Sequence, residues 1–373
     1  MALGIVCPMW MFGACSSPPE PESVPPPRVV VPGPSPAPRP AGFVGSRAFD
    51  HVRALFAIGP RVAGTDAAAE ARAYVREQLE ALGLAVAVQE GRFQDTDGNK
   101  RVLENLETVV PAGPSPVGSA LRGEFVLAAP LDTAPSDPPL LGANESASGA
   151  ATLLEAARVL QDEPLPYPVR LLFLDGESLD PARSIGSELA LEHLEVAPVR
   201  LLVYVHQVGD ADLEIRRDLS SHRVFRDIFF RAALEMGHAD AFPMEAGFDQ
   251  VPAGHREFFK RGLRRVVALS DIRFGGPDPP GPLWRTAGDN LDHISQDSLE
   301  TVGRVLLAGL RDTATLLERV DAHVAGVPLA DRVGAFGHAR KDANPAPVAA
   351  AETGDPVPAE TPVEVPDVQT PQP

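Results

Sequence analysis

The strongest constraint on how this chain folds is a set of short apolar runs, at residues 125–129, 169–174, 201–206 and 266–270. Each is too short for a helix of its own, and none shows the polar–apolar alternation of a strand with one wet face. Runs of this kind sit in the centre of a sheet, buried on both sides. Helical patterns alternate with them. Residues 48–58 read as a helix closed by Gly59-Pro60, and Thr65 reads as the N-cap of a helix through Leu82 with Ala71, Val75 and Leu79 on one face. Residues 84–88 and 102–110 read as strands, residues 148–160 as a helix with Leu153, Leu154, Ala157 and Leu160 on one side, and residues 295–320 as a long closing helix. The expected fold is therefore α/β, with a mostly parallel central sheet and helices on both faces. Ligands of such sheets sit outside the carboxyl ends of the strands, so the polar residues that follow the apolar runs become the candidates for function.

Composition sets the limits of that domain. A hydrophobic fraction of 44% can bury a sizeable core, but 40 prolines are too many for one compact unit. The proline-rich, low-period segments fall at residues 16–42 and 325–373, leaving 43–324 as the folded domain between a tether and an acidic tail. A net charge of −18 argues against a nucleic-acid partner. The two cysteines, Cys7 and Cys15, both lie near the start, so the domain has neither a disulfide nor a thiolate ligand. Residues 1–15 are apolar, too short to span a bilayer, and end in Phe12-Gly13-Ala14-Cys15. That ending resembles the lipobox of bacterial lipoproteins. The resemblance implies lipidation at Cys15, a membrane tether, and a place in the cell envelope, on the outer membrane facing the periplasm or the surface. A plain leader is the alternative. A monomer is the simplest expectation.

Five polar clusters stand out, at residues 130–132, 142–149, 175–178, 206–210 and 284–290, and at least three directly follow an expected strand. Their order, with Gly59-Pro60-Arg61-Val62-Ala63-Gly64 ahead of them and His255 between the last two, resembles the M28 zinc-peptidase family. The resemblance is greatest to that family's bacterial glutaminyl-cyclase-like branch. It implies one or two zinc ions, ligands in each of the five clusters, and a glutamate that moves a proton. It would place that glutamate at Glu177, a substrate-packing tryptophan at Trp284, and Asp132 and His255 around the pocket.

At the ligand positions the sequence departs from the family. Pro130 replaces a histidine and has no side-chain donor; Ser178 replaces a glutamate; Arg285 replaces the last histidine and is a permanent cation that cannot ligate zinc. Glu145 and His206 stand where aspartates would be and remain possible metal ligands. Two acids before His255 have become Ala253-Gly254. One reading is a non-catalytic domain whose pocket, with Trp284 and Arg285, binds a peptide or small carboxylate and needs no cofactor. Another is a zinc-dependent aminopeptidase or glutaminyl-peptide cyclotransferase with a rearranged site at Glu145, Glu177 and His206. A third, with Ser178 as nucleophile and His206 as base, lacks the strained elbow such a serine requires. Plainer roles stand beside these. His206 fits a core histidine, Glu145 a helix-capping carboxylate, Trp284 packing, and Arg285 a counter-ion for Asp132 or Glu177. Arg216-Arg217 and Arg264-Arg265 read as solvated charge.

Overall fold

The structure, a computed structural model, describes residues 42–94, 98, 100–115 and 123–326. Cys15, the tether through residue 41 and the tail from residue 327 lie outside the described residues. Among the described residues no helix is long and apolar enough to cross a membrane.

The chain opens with two helices, α1 (Gly45–Ile58) and α2 (Asp66–Ala81). Thr65 caps α2 by accepting from Ala68 N. An antiparallel hairpin follows, β1 (Val86–Gln94) and β2 (Lys100–Val110). Then come β3 (Glu124–Pro130), α3 (Ser148–Asp162), β4 (Val169–Leu174), α4 (Ile185–His193) and β5 (Val199–His206). A two-residue pair, β6 (Arg217–Asp218) and β7 (Phe248–Asp249), flanks α5 (Arg223–Glu235). The chain continues through α6 (His255–Lys260) and β8 (Val266–Ser270) to α7 (Gln296–Val324). Helix α1 starts three residues before its expected start. Gly45 allows this, because a Cβ there would collide with the carbonyl of Gln296 at the start of α7.

The main sheet has the order β1-β2-β4-β3-β5-β8, with β4, β3, β5 and β8 mutually parallel and the hairpin antiparallel at one edge. Pleating sends alternate residues of the central strands into two cores. Phe125, Leu127 and Ala129 of β3 join Leu201, Val203 and Val205 of β5 under a layer that includes α1, α2, α3, α5 and α7. Val126, Ala128, Leu202 and Tyr204 face the other way, where Leu191 of α4 and Phe258 of α6 cover them. Burial on both faces is the physical reason these strands read as unbroken apolar runs. Helices α4, α5 and α6 had no counterpart in the periodicity read from the sequence. Of the two arginine pairs, Arg264 is exposed as expected, while Arg216, Arg217 and Arg265 are half-buried; Arg265 donates to Val199 O, and the guanidinium carbons of Arg217 and Arg264 lie 4.4 and 4.2 Å over Phe248 and Phe259.

Candidate functional site

Strands β3, β4, β5 and β8 end on one rim, and buried polar clamps knit the loops leaving it. Asp132, just past β3, accepts at both carboxylate oxygens, from Glu177 N and Ser178 N at 2.9 Å each. It thereby holds the loop after β4, where Gly176 takes a left-handed turn at φ 81°. Asp289 does the same for the wide turn at residues 143–147 ahead of α3, accepting from Asn144 N at 2.6 Å and Glu145 N at 3.0 Å. Burial raises Asp132 well above the ordinary carboxylate range and Asp289 to about 6, although the amides that bond them work in the opposite direction. Asn144 Oδ1 accepts from Gly209 N, and Ser148 Oγ accepts from Val208 N, so the same turn is tied to the loop after β5.

Arg61 joins these loops from below. It is fully buried and donates to five backbone carbonyls, of Leu55, Gly59, Leu131, Leu141 and Gly142, and to Ser146 Oγ. Burial lowers its pKa to about 10, which leaves it charged at neutral pH. The physical content of the Gly59-Pro60-Arg61 opening is thus a cation that gathers carbonyls from several turns.

Above the clamps lies a cleft. Glu145, Glu177, His206, Trp284 and Arg285 all line it, as do Pro130 and Ser178. Asp132 and His255, which the resemblance placed at the pocket, do not line it. Asp132 is turned under the rim as a clamp. His255 is fully buried, with Nε2 2.8 Å from Ser220 Oγ and 3.4 Å from Asp218 Oδ2.

The side chains of the cleft are unevenly satisfied. Both Glu177 oxygens are occupied: Oε1 accepts from Ser187 N at 2.5 Å and Oε2 from Tyr204 OH at 2.6 Å. Burial raises the pKa of Glu177, against the pull of those two donors. His206 keeps some surface at the cleft wall, yet the protein around it disfavours the imidazolium. Burial first, then the charge of Arg285, pushes its pKa down to about 3. Arg285 donates from Nε to Glu145 Oε1 at 2.7 Å, and the other carboxylate oxygen of Glu145, buried, has no partner. The partner of Arg285 is therefore neither Asp132 nor Glu177, and Glu145 forms an ion pair beyond any capping role. The guanidinium carbon of Arg285 lies 4.6 Å over the ring of Trp284. Trp284 Nε1 donates to the side-chain oxygen of Gln207 at 2.7 Å, and the Gln207 amide nitrogen donates to Asp271 O at 3.1 Å. Gln207 and Arg285, each at φ 52°, are the two non-glycine residues with left-handed backbone among the described residues. Such strain persists only where the surroundings enforce it.

A catalytic zinc site needs about three protein donors converging on one point. Here Pro130 offers none, Arg285 brings a positive charge, Glu177 is occupied and Glu145 is paired. Among the described residues no group of three or more His, Cys, Asp or Glu side chains is placed to hold a metal ion. As the residues stand, this donor set does not fit zinc. Tyr204 was not singled out from sequence, and Gln207 and Arg61 entered only as members of the 206–210 cluster and the Gly59-Pro60-Arg61 opening. The available signal for Tyr204 was its spacing two residues before His206 on one strand, which puts both rings on one face, 6.3 Å apart.

The sequence profile described as Peptidase family M28 matches residues 116–310. A glutaminyl cyclase from an Acidobacteriales bacterium has a similar structure, with TM-score 0.66 and 26% identity over 76% of this chain and 100% of that one. A leucine aminopeptidase precursor from Bacteroides thetaiotaomicron gives TM-score 0.62 and 24% identity over 73% of this chain and 98% of that one. A Zn-dependent exopeptidase from Parabacteroides distasonis gives 0.60 and 20% over 71% and 97%. At their identities the last two bear on the fold alone. None of the curated proteins matches the chain.

Proposed function

The chain belongs to the M28 peptidase family, and we propose that within it this protein is a lipid-anchored, non-catalytic binding domain. Its cleft receives a peptide end or a small carboxylate in place of a zinc-bound substrate, with Trp284 and Arg285 making the contacts. One observation carries this reading: the Arg285 guanidinium is bonded at 2.7 Å to Glu145, a carboxylate at one of the family's ligand positions. A fixed cation within a few ångströms of a metal position opposes metal entry by several kcal/mol even at an effective dielectric of about 20. The tether through Cys15 puts this cleft at the cell envelope, and a net charge of −18 keeps nucleic acid away.

A zinc-dependent aminopeptidase or glutaminyl-peptide cyclotransferase is the second reading. It is favoured by the similarity to a glutaminyl cyclase and by the unpartnered oxygen of Glu145. It requires the Arg285–Glu145 pair to open. The deciding experiment is metal content of the full chain after exposure to zinc, with turnover of aminopeptidase and glutaminyl-cyclase substrates. Less than about a tenth of an equivalent of zinc and no turnover support the binding domain, since zinc sites normally hold their metal tightly. Near one equivalent, lost in Glu145→Ala or His206→Ala, rejects it. In the same preparations, Cys15→Ser releases the protein from the membrane fraction if the anchor is correct.

A further inference from the structure

The cleft presents two opposite charges side by side, each with hydrogen-bonding capacity to spare. Arg285 uses only Nε on Glu145; among the described residues its η nitrogens meet no hydrogen-bond partner, and its side chain keeps 29% of its surface. Glu145 uses only Oε1; its other oxygen is without a partner on a side chain that is 3% exposed. A buried carboxylate oxygen left unpaired costs free energy, so its surroundings favour a donor from outside the chain. A divalent cation or a lone ammonium would neutralise that oxygen but would sit against the guanidinium. A lone carboxylate would suit Arg285 but would sit against Glu145. One class of ligand satisfies both: a small molecule carrying an ammonium and a carboxylate next to one another.

We infer that the cleft binds a free α-amino acid as its zwitterion, with the carboxylate on the Arg285 η nitrogens and the ammonium on Glu145. The inference rests on the binding-domain reading and, of the small carboxylates that reading allows, selects those with an ammonium on the neighbouring carbon. The ammonium and carboxylate of an α-amino acid sit on one carbon, and the opposite charges of the cleft are likewise adjacent, with Arg285 Nε bonded to Glu145 Oε1. A peptide carries the two groups at opposite ends of its chain and cannot place both on this pair. The rest of the cleft suits an apolar side chain, because Trp284, Ile272, Pro280 and Pro252 form its walls. Stacking on Trp284, which is itself held by Gln207, fixes the guanidinium in advance and limits the ordering cost on binding.

The test is titration of the full chain with L-leucine and L-phenylalanine, by calorimetry and by thermal shift, beside N-acetyl-L-phenylalanine and L-phenylalanine amide. The free amino acids bind and raise the melting temperature, and each blocked derivative binds at least about tenfold more weakly, since each loses one charge-assisted contact. The variants give a crossed pattern. Arg285→Met no longer distinguishes phenylalanine from its amide, and Glu145→Gln no longer distinguishes it from the N-acetyl form, which a generally loosened cleft would not produce. If either variant fails to fold, the four ligands on the natural chain still decide. Equal binding of the N-acetyl form, equal binding of the amide, or binding of neither free amino acid overturns the inference. None of these outcomes touches the binding-domain reading, which stands or falls on metal content and turnover.

Discussion

The clamps beneath the rim and the cleft above them are built from the same residue types and differ in how completely those residues are satisfied. Asp132, Asp289 and Arg61 are buried, and every carboxylate oxygen and guanidinium nitrogen in them has a protein partner. In the cleft, a few ångströms of backbone away, Glu145 and Arg285 are half-used. A closed polar network rigidifies the loops it joins, whereas an open one has capacity for something that is not part of the chain. The difference separates what maintains the M28 scaffold from the residues to which the proposed ligand contacts are assigned. It also explains how the ligand positions can change while the loops that carry them keep their places.

Three perturbations break or sharpen that contrast. The largest effect belongs to the clamps. Arg61→Met removes one donor from each of five carbonyls and a hydroxyl and should cost at least about 3–5 kcal/mol in urea denaturation. A loss under about 1 kcal/mol would show that the clamp is dispensable.

The cleft pair comes second. Arg285→Met strands a buried carboxylate and should cost about 2–3 kcal/mol, while Glu145→Gln and the double variant cost less. A coupling energy near zero in that double-mutant cycle would mean the pair adds nothing to the cleft's stability.

The effect that is smallest at neutral pH is one of protonation. The folded pKa of His206, about 3, lies below its ordinary value of 6.5, so its contribution is fully present above pH 6.5 and is lost as pH falls toward 3. The loss is up to about 1.4 kcal/mol per pH unit. Asp289, raised to about 6, acts in the opposite sense, since its contribution is lost as pH rises through 6. The comparison that isolates the histidine is therefore the natural chain against His206→Gln, whose stability should be flatter between pH 6.5 and 4. Parallel profiles would place the His206 imidazole in a far more hydrated setting.

Most of the architecture was legible before any coordinates. The four apolar runs became the parallel strands, since residues buried on both faces leave a pattern no other setting imposes. Thr65 became a helix cap, accepting from Ala68 N, because capping chemistry is local. Helices α4, α5 and α6 were not read from the sequence. α4 is only nine residues long, and α6 six. In these two, too few turns are available for periodicity to register, whereas α5, at 13 residues, carries Phe225, Phe229, Ala232 and Ala233 at helical spacing and was passed over.

By itself the sequence determined the family scaffold, the carboxyl-end rim, and the chemical fact that Pro130, Ser178 and Arg285 cannot act as the family's ligands. Those are properties of residue type, order and local pattern. Only the tertiary structure decided which carboxylate Arg285 neutralises, that Tyr204 occupies Glu177, and that Asp132 and His255 lie beneath the cleft and not on its wall. It also decided that Glu145 keeps one oxygen open. Those pairings join residues as far as 140 positions apart. Hydrogen bonds depend on tenths of an ångström between loops that meet only after the sheet has formed, and no spacing along the chain encodes them.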